Sequence, residues 1–275
     1  MESTTALGKK FSAHIIGGSV SSCSKNIHFI LNARFGFSTK YTYILEIMSS
    51  KNTKAFNVAE KYELSENHKR IVDAILDRDN KLIFIDGPAG TAKTYCAVLA
   101  ALKLIQRKSF KSILYLRSIA ECSNQKLGAL PGELHEKIGP FGAPFLEKLS
   151  EMISEAAITK LASESALDIQ PLNFLRGTTF HDKIVLLDEA QNAELDQLII
   201  VLTRLGEHGK LVVIGDSNQV DIRDKKSYGN IVAKFNSEDC KSNGIQSFTL
   251  TDEDIKRSKI LKFIVGKLNE LKSNR

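Results

Sequence analysis

Tryptophan is absent from the 275 residues, and aromatic side chains make up only 7% of them. A surface of stacked rings for holding single strands is therefore not signalled. Cysteine is scarce too. Cys23, Cys96, Cys122 and Cys240 are scattered, and no two sit close enough for a metal knuckle or a redox pair. A reducing, cytoplasmic setting is the simplest expectation. No run approaches 18 consecutive apolar residues, so no membrane-spanning helix is expected. Repeats and low-complexity tracts are also missing. The chain is 43% hydrophobic and 25% charged. That balance excludes a wholly disordered, collagenous or disulfide-stapled protein.

Acidic residues are nearly missing from positions 1–47, where Glu2 and Glu46 stand alone among Ser and basic residues. Such a leader resembles an organelle transit peptide. It also suits a poorly ordered extension, a functional arm, or a spurious stretch with translation starting at Met48. The expected division is an extension over 1–47 and one domain over 48–275. The formal charge of +6 is unevenly spread: +5 over 1–70, −2 over 71–249 and +3 over 250–275. Basic ends attract polyanions in general. They are equally consistent with solvated faces.

From Leu64 onward, short apolar runs alternate with helical stretches. Lys81–Asp86, Ser112–Arg117, Lys183–Asp188 and Lys210–Gly215 read as buried strands, and Ile245–Leu250 as a fifth. Helices are expected over Lys93–Gln106, over 194–205 and from about Glu253. Residues 125–180 read as mostly helical and loop-like. The alternation predicts an α/β fold with a mainly parallel sheet and helices on both faces.

Three constellations lie where expected strands end. Gly87-Pro88-Ala89-Gly90-Thr91-Ala92-Lys93-Thr94 nearly matches the phosphate-cradling pattern G-x-x-x-x-G-K-[ST]. Small residues let backbone N–H groups close on phosphate oxygens, and the following helix presents its positive end. Lys93 would reach the β- and γ-phosphates, and Thr94 would hold Mg²⁺. Ala92 stands where the pattern has Gly, so φ there is either negative or strained. Asp188-Glu189-Ala190-Gln191 puts adjacent carboxylates at a strand end, where open parallel sheets bind ligands. Asp188 suits Mg²⁺, and Glu189 suits a base that polarises water. A helix cap with a solvated neighbour is the alternative. Gly215-Asp216-Ser217-Asn218-Gln219 offers an amide for the γ-phosphate, or is a plain polar turn. Arg117, Arg176, Arg204 and Arg257 are candidates for a charge-stabilising finger.

Taken with Leu127-Gly128-Ala129-Leu130-Pro131-Gly132, Phe174-Leu175-Arg176-Gly177 and Leu202-Thr203-Arg204-Leu205-Gly206, these motifs resemble the PhoH family of predicted ATPases, in its phage-borne single-domain form. The likeness covers about residues 62–268. It implies a three-layer RecA-like P-loop NTPase core related to superfamily-one helicases, with ATP and Mg²⁺ as cofactors. It matches Lys93 and Thr94 to Walker A, Asp188 and Glu189 to Walker B, and Gln219 to the motif III glutamine. Arg257, in Asp254-Ile255-Lys256-Arg257, becomes the finger of choice. His68 stands where an adenine-reading Gln is usual.

The likeness further implies ATP hydrolysis coupled to RNA or single-stranded DNA. It implies a homo-oligomer, up to a hexameric ring, with Arg257 acting in trans, and a link to phosphate starvation. No second RecA-like domain is visible in these residues, so strand separation would need neighbouring subunits. A nucleotide-dependent binding switch with little turnover is the alternative. A small-metabolite kinase fits poorly, because a base that activates water would waste ATP.

Overall fold

The computed structural model describes residues 56–118, 134–175, 177–219 and 227–256, with Ile260, Phe263, Ile264 and Lys267 beyond them. All belong to the unit Lys51–Arg275. The extension over 1–47, most of the Leu127–Lys137 motif, Arg176 and Arg257 lie outside the described residues.

In chain order the elements are α1 (Glu66–Leu76), β1 (Leu82–Asp86), α2 (Lys93–Gln106), β2 (Ser112–Arg117), α3 (Leu134–Met152), α4 (Glu155–Ser163) and β3 (Leu167–Pro171). There follow β4 (Lys183–Asp188), α5 (Leu195–Leu202), β5 (Lys210–Gly215), α6 (Ser227–Lys234), α7 (Glu238–Ser242) and β6 (Ile245–Thr249). The strands form one sheet in the order β3-β2-β4-β5-β1-β6. Every pairing between them is parallel. Strand β5 thus separates β1 from β4.

Strand side chains alternate between two cores. Ile83, Ile85, Tyr115, Leu186 and Val212 face one layer with α1, α2, α3 and α4. Phe84, Leu116, Leu187 and Val213 face the other, with Leu198 of α5 and Tyr228 of α6. Because both faces are covered, the strands read as unbroken apolar runs. Helix α2 is Ala- and Leu-rich without a breaker, and nine of its residues are buried. Parallel register places Asp86 beside Gly215 and Arg117 beside Asp188. All four therefore lie at the sheet's C-terminal edge.

Three expectations change. The 125–180 stretch contains a strand, β3, which makes Ile245–Thr249 the sixth. Strand β3 carries Asp168 and Gln170 and is mostly half-buried, because it lies at the sheet's edge. Where the helix expected from about Glu253 would start, the chain makes a 3-10 turn, Asp252–Asp254. The Asp254 carboxylate accepts the Thr251 N–H at 3.0 Å, and Ile255 leaves in extended conformation. The helix expected over 194–205 stops at Leu202.

Lys210, at the start of β5, is almost wholly buried, at 1% exposure. Its ammonium donates to the Ile75 carbonyl at 2.6 Å and to the Asp77 carbonyl. These are orphan acceptors at the end of α1. Burial pushes the Lys210 pKa down to about 8, and Lys81 adds to the shift. Between that value and the ordinary lysine value of about 10.4 the unfolded chain holds more protons, so this group makes stability rise with pH. Chemical denaturation from pH 7.5 to 10 should show the wild type gaining stability relative to Lys210→Met across that window. Parallel pH curves for the two proteins would contradict the assignment.

Candidate functional site

The loop between β1 and α2 turns at two glycines. Gly87 has φ 152°, and a Cβ there would meet the Leu250 carbonyl oxygen at 2.8 Å. Only glycine fits this approach of the chain leaving β6. Ala92, the residue before α2, has φ 57° and ψ 24°. Of the two alternatives the sequence left, the left-handed one holds, and it costs an alanine roughly 1–2 kcal/mol.

The loop is braced from inside and from both flanks. The Thr91 hydroxyl donates to the Pro88 carbonyl at 2.7 Å. Lys93 Nζ donates to the Gly87 and Pro88 carbonyls at 2.6 and 2.9 Å. From the C-terminal side, the Lys256 backbone N–H donates to the Gly90 carbonyl at 3.1 Å. From α1, His68 Nε2 reaches the Thr91 carbonyl at 2.9 Å, while Nδ1 lies 2.5 Å from the Ser65 hydroxyl. A carbonyl can only accept, so Nε2 carries the proton and Nδ1 accepts from Ser65.

His68 is thereby relocated. The family resemblance sets it where a base-reading Gln is usual, with an exposed side chain as the alternative. In the structure it is fully buried beneath the loop, with both ring nitrogens engaged. It supports the cradle and has no nitrogen left to read a base.

Asp188 faces the loop across the sheet edge. Its two carboxylate oxygens each lie 3.3 Å from the Thr94 hydroxyl. Oδ2 accepts from the Tyr115 hydroxyl at 2.7 Å, and Oδ1 accepts from the Glu189 N–H at 3.0 Å. Burial pushes the Asp188 pKa up, against the Tyr115 and Glu189 hydrogen bonds. Tyr115 is itself fixed by Phe145, stacked at 4.6 Å. Burial lowers the Lys93 pKa, opposed by Asp216, Asp188, Glu189 and Asp86.

These residues border one cavity of about 440 Å³. Ala89 to Thr94 form one wall, and Asp188, Glu189 and Gln219 another. Lys256 and Tyr62 also line it. Gly87 and Pro88 meet Lys93, and Pro88 also Thr91, through their carbonyls. Glu189, like Ala92, is left-handed, at φ 56° and ψ 40°. Its Oε1 lies 3.7 Å from Arg117 Nη2, and its Oε2 accepts from Gln191 Nε2 at 2.7 Å. Arg204 is engaged elsewhere, 3.5 Å from the Thr178 carbonyl.

The Thr94 hydroxyl and Asp188 carboxylate are hard oxygen donors, which suits Mg²⁺. Among the described residues no group of three or more His, Cys, Asp or Glu could hold a metal ion. Mg²⁺ is usually bound through one or two protein oxygens together with substrate phosphates and water. Sequence reasoning missed Lys256, Tyr115 and the role of His68. Only Tyr115 left a trace, as a polar tip inside an apolar strand.

Ala92→Gly tests the loop geometry. An ordinary Ala-to-Gly exchange in a helix costs about 1 kcal/mol. Here relief of the left-handed strain should leave the melting temperature unchanged or higher. A fall of several degrees would mean that Ala92 is not strained.

Comparison with known proteins agrees with these motifs. The family model described as PhoH-like protein matches residues 62–269. A PhoH-like protein of Mycobacterium bovis is 39% identical over 199 residues, covering 72% of this chain and 55% of the relative. One from Bacillus subtilis is 36% identical over 186 residues, covering 68% and 57%. The chain thus spans a little over half the length of these curated relatives. Among solved structures, the large terminase of a thermophilic bacteriophage aligns with a TM-score of 0.44 and 11% identity, over 72% of this chain and 48% of that one. With a phosphate loop facing an acidic strand end, and a family match across most of its length, this chain belongs to the PhoH family.

Proposed function

We propose that this protein is a Mg²⁺-dependent ATPase that cleaves the β–γ phosphoanhydride of ATP. One observation carries the reading: Thr94, at the start of α2, meets the buried Asp188 at 3.3 Å, with Lys93 and Glu189 on either side. The loop amides and the N-terminal end of α2 would cradle the phosphates. Lys93 would exchange the Gly87 and Pro88 carbonyls for phosphate oxygens. Thr94 and Asp188 would hold Mg²⁺, which supplies charge neutralisation at the β- and γ-oxygens. Glu189 would orient the attacking water, and Gln219 would meet the γ-phosphate. Positioning and electrostatics would supply most of the acceleration.

The finer reading is that hydrolysis is coupled to RNA or single-stranded DNA in a homo-oligomer. Family membership and the basic chain ends support nucleic acid as partner. Exposed Leu195, Ile199 and Ile200 on α5, with exposed Ile260, Phe263 and Ile264, support self-association. Arg257, next to the cavity-lining Lys256, remains the finger of choice, from its own or a neighbouring subunit.

Lys93→Ala should weaken ATP binding at least tenfold. Glu189→Gln should bind ATP normally yet lose about 10²–10⁴-fold in kcat. Equilibrium binding and phosphate release measure the two effects, and wild-type turnover in both variants would exclude this site. Tight ATP binding by the wild type with background phosphate release would select the switch reading. For the partner, RNA affinity should fall steeply between 50 and 200 mM salt. Salt-independent affinity would argue against phosphate contacts.

A further inference from the structure

Gln191 sits two residues beyond Glu189 and is 6% exposed. Both ends of its amide are engaged. Nε2 donates to Glu189 Oε2 at 2.7 Å, and Oε1 accepts the Asp216 backbone N–H at 3.0 Å. Chemistry fixes the orientation. A backbone N–H can only donate, so the atom facing Asp216 is the oxygen and the NH₂ faces the carboxylate. The bond to Glu189 is charge-assisted, and therefore among the stronger kind.

Asp216 is the first residue after β5 and organises the turn that ends at Gln219. Its carbonyl accepts the Gln219 N–H at 3.0 Å, and its carboxylate accepts the Asn218 N–H at 3.0 Å. The same turn is pinned to β1, because Asp86 accepts the Ser217 N–H at 2.8 Å and its hydroxyl at 2.7 Å. Gln191 is thus a strut between the acid at the end of β4 and the turn at the end of β5. It ties down one oxygen of Glu189. The other, Oε1, has among the described residues only the longer contact to Arg117 at 3.7 Å.

We propose that Gln191 is a positioning residue: by holding Glu189 Oε2 and linking it to the Gln219 turn, it presents Oε1 to the attacking water. A shift of the turn when the γ-phosphate is gained or lost then moves the carboxylate as well. The proposal rests on the reading of Glu189 as the group that orients water. A merely structural Gln191 would serve only to satisfy the buried Asp216 N–H, and two substitutions separate the roles. Gln191→Leu removes both bonds at similar volume. Gln191→Glu keeps an acceptor for the Asp216 N–H but sets a second carboxylate against Glu189.

Both variants should lower kcat about 10–100-fold, with the ATP dissociation constant changed less than about threefold. Glu189→Asp has a shortened side chain that no longer reaches Gln191. In that background, adding Gln191→Leu should change kcat less than about twofold, since the shared interaction is already lost. Wild-type kcat in Gln191→Glu would overturn the proposal. So would an undiminished loss in the Glu189→Asp background, or a matching loss of nucleotide affinity. Thermal unfolding of Gln191→Glu, which retains the Asp216 contact, shows that the measured protein is folded. A different result, wild-type turnover in Glu189→Gln itself, would remove the water-orienting reading and this proposal with it.

Discussion

A carboxylate sealed at the end of a parallel sheet sets the terms for the rest of the site. Asp188 is buried, and an isolated charge in such a place is costly. The cost is met by convergence. Thr94 comes from α2, the Tyr115 hydroxyl from β2, and the Glu189 N–H from the carboxylate's own chain. Each partner is held by packing further out: α2 by the core on one face of the sheet, Tyr115 by the ring of Phe145. The sheet order matters here. With β5 between β1 and β4, the loop after β1, the acid at the end of β4 and the turn after β5 border one cavity. The cavity is a product of strand order as much as of side chains.

The phosphate loop meets the opposite problem. In the phosphate-cradling reading its amides turn to the ligand, and its carbonyls need donors of their own. His68 and the Lys256 N–H take the Thr91 and Gly90 carbonyls, and Thr91 and Lys93 serve those of Pro88 and Gly87. Two segments far apart in sequence, one before β1 and one after β6, thus hold the loop in shape. The left-handed Ala92 is tolerated within this frame. Strained backbone persists where surrounding contacts over-determine it.

Much of this was legible in the residues. Strands β2, β4 and β5 and helix α2 have the bounds that their apolar runs imply, because full burial erases alternation and Gly, Asp or Arg marks each end. The Gly87–Thr94 loop and the Asp188-Glu189 pair could be singled out because the chemistry proposed for them demands particular residue types at particular spacings, and the structure brings Thr94 and Asp188 together. Strand β3 was hidden, since an edge strand with Asp168 and Gln170 looks like a loop. His68 was misplaced for a different reason. Its position along the chain suits a base contact, but its partners, Ser65 and Thr91, are set by how α1 packs on α2. Gln191 was visible as part of a motif and silent about its role, since Asp216 is brought to it only by the pairing of β4 with β5.

The bond from the Lys256 N–H to the Gly90 carbonyl has a mechanical side. It fastens the chain that follows β6 to the turn before α2, so a displacement of Lys256 bears directly on the Gly90 carbonyl. A tether, tag or docked neighbour at that end would act on the loop like a hand on a lever. The same attachment at the other terminus would first have to act through the stretch leading into α1, which grips the loop through the imidazole of His68.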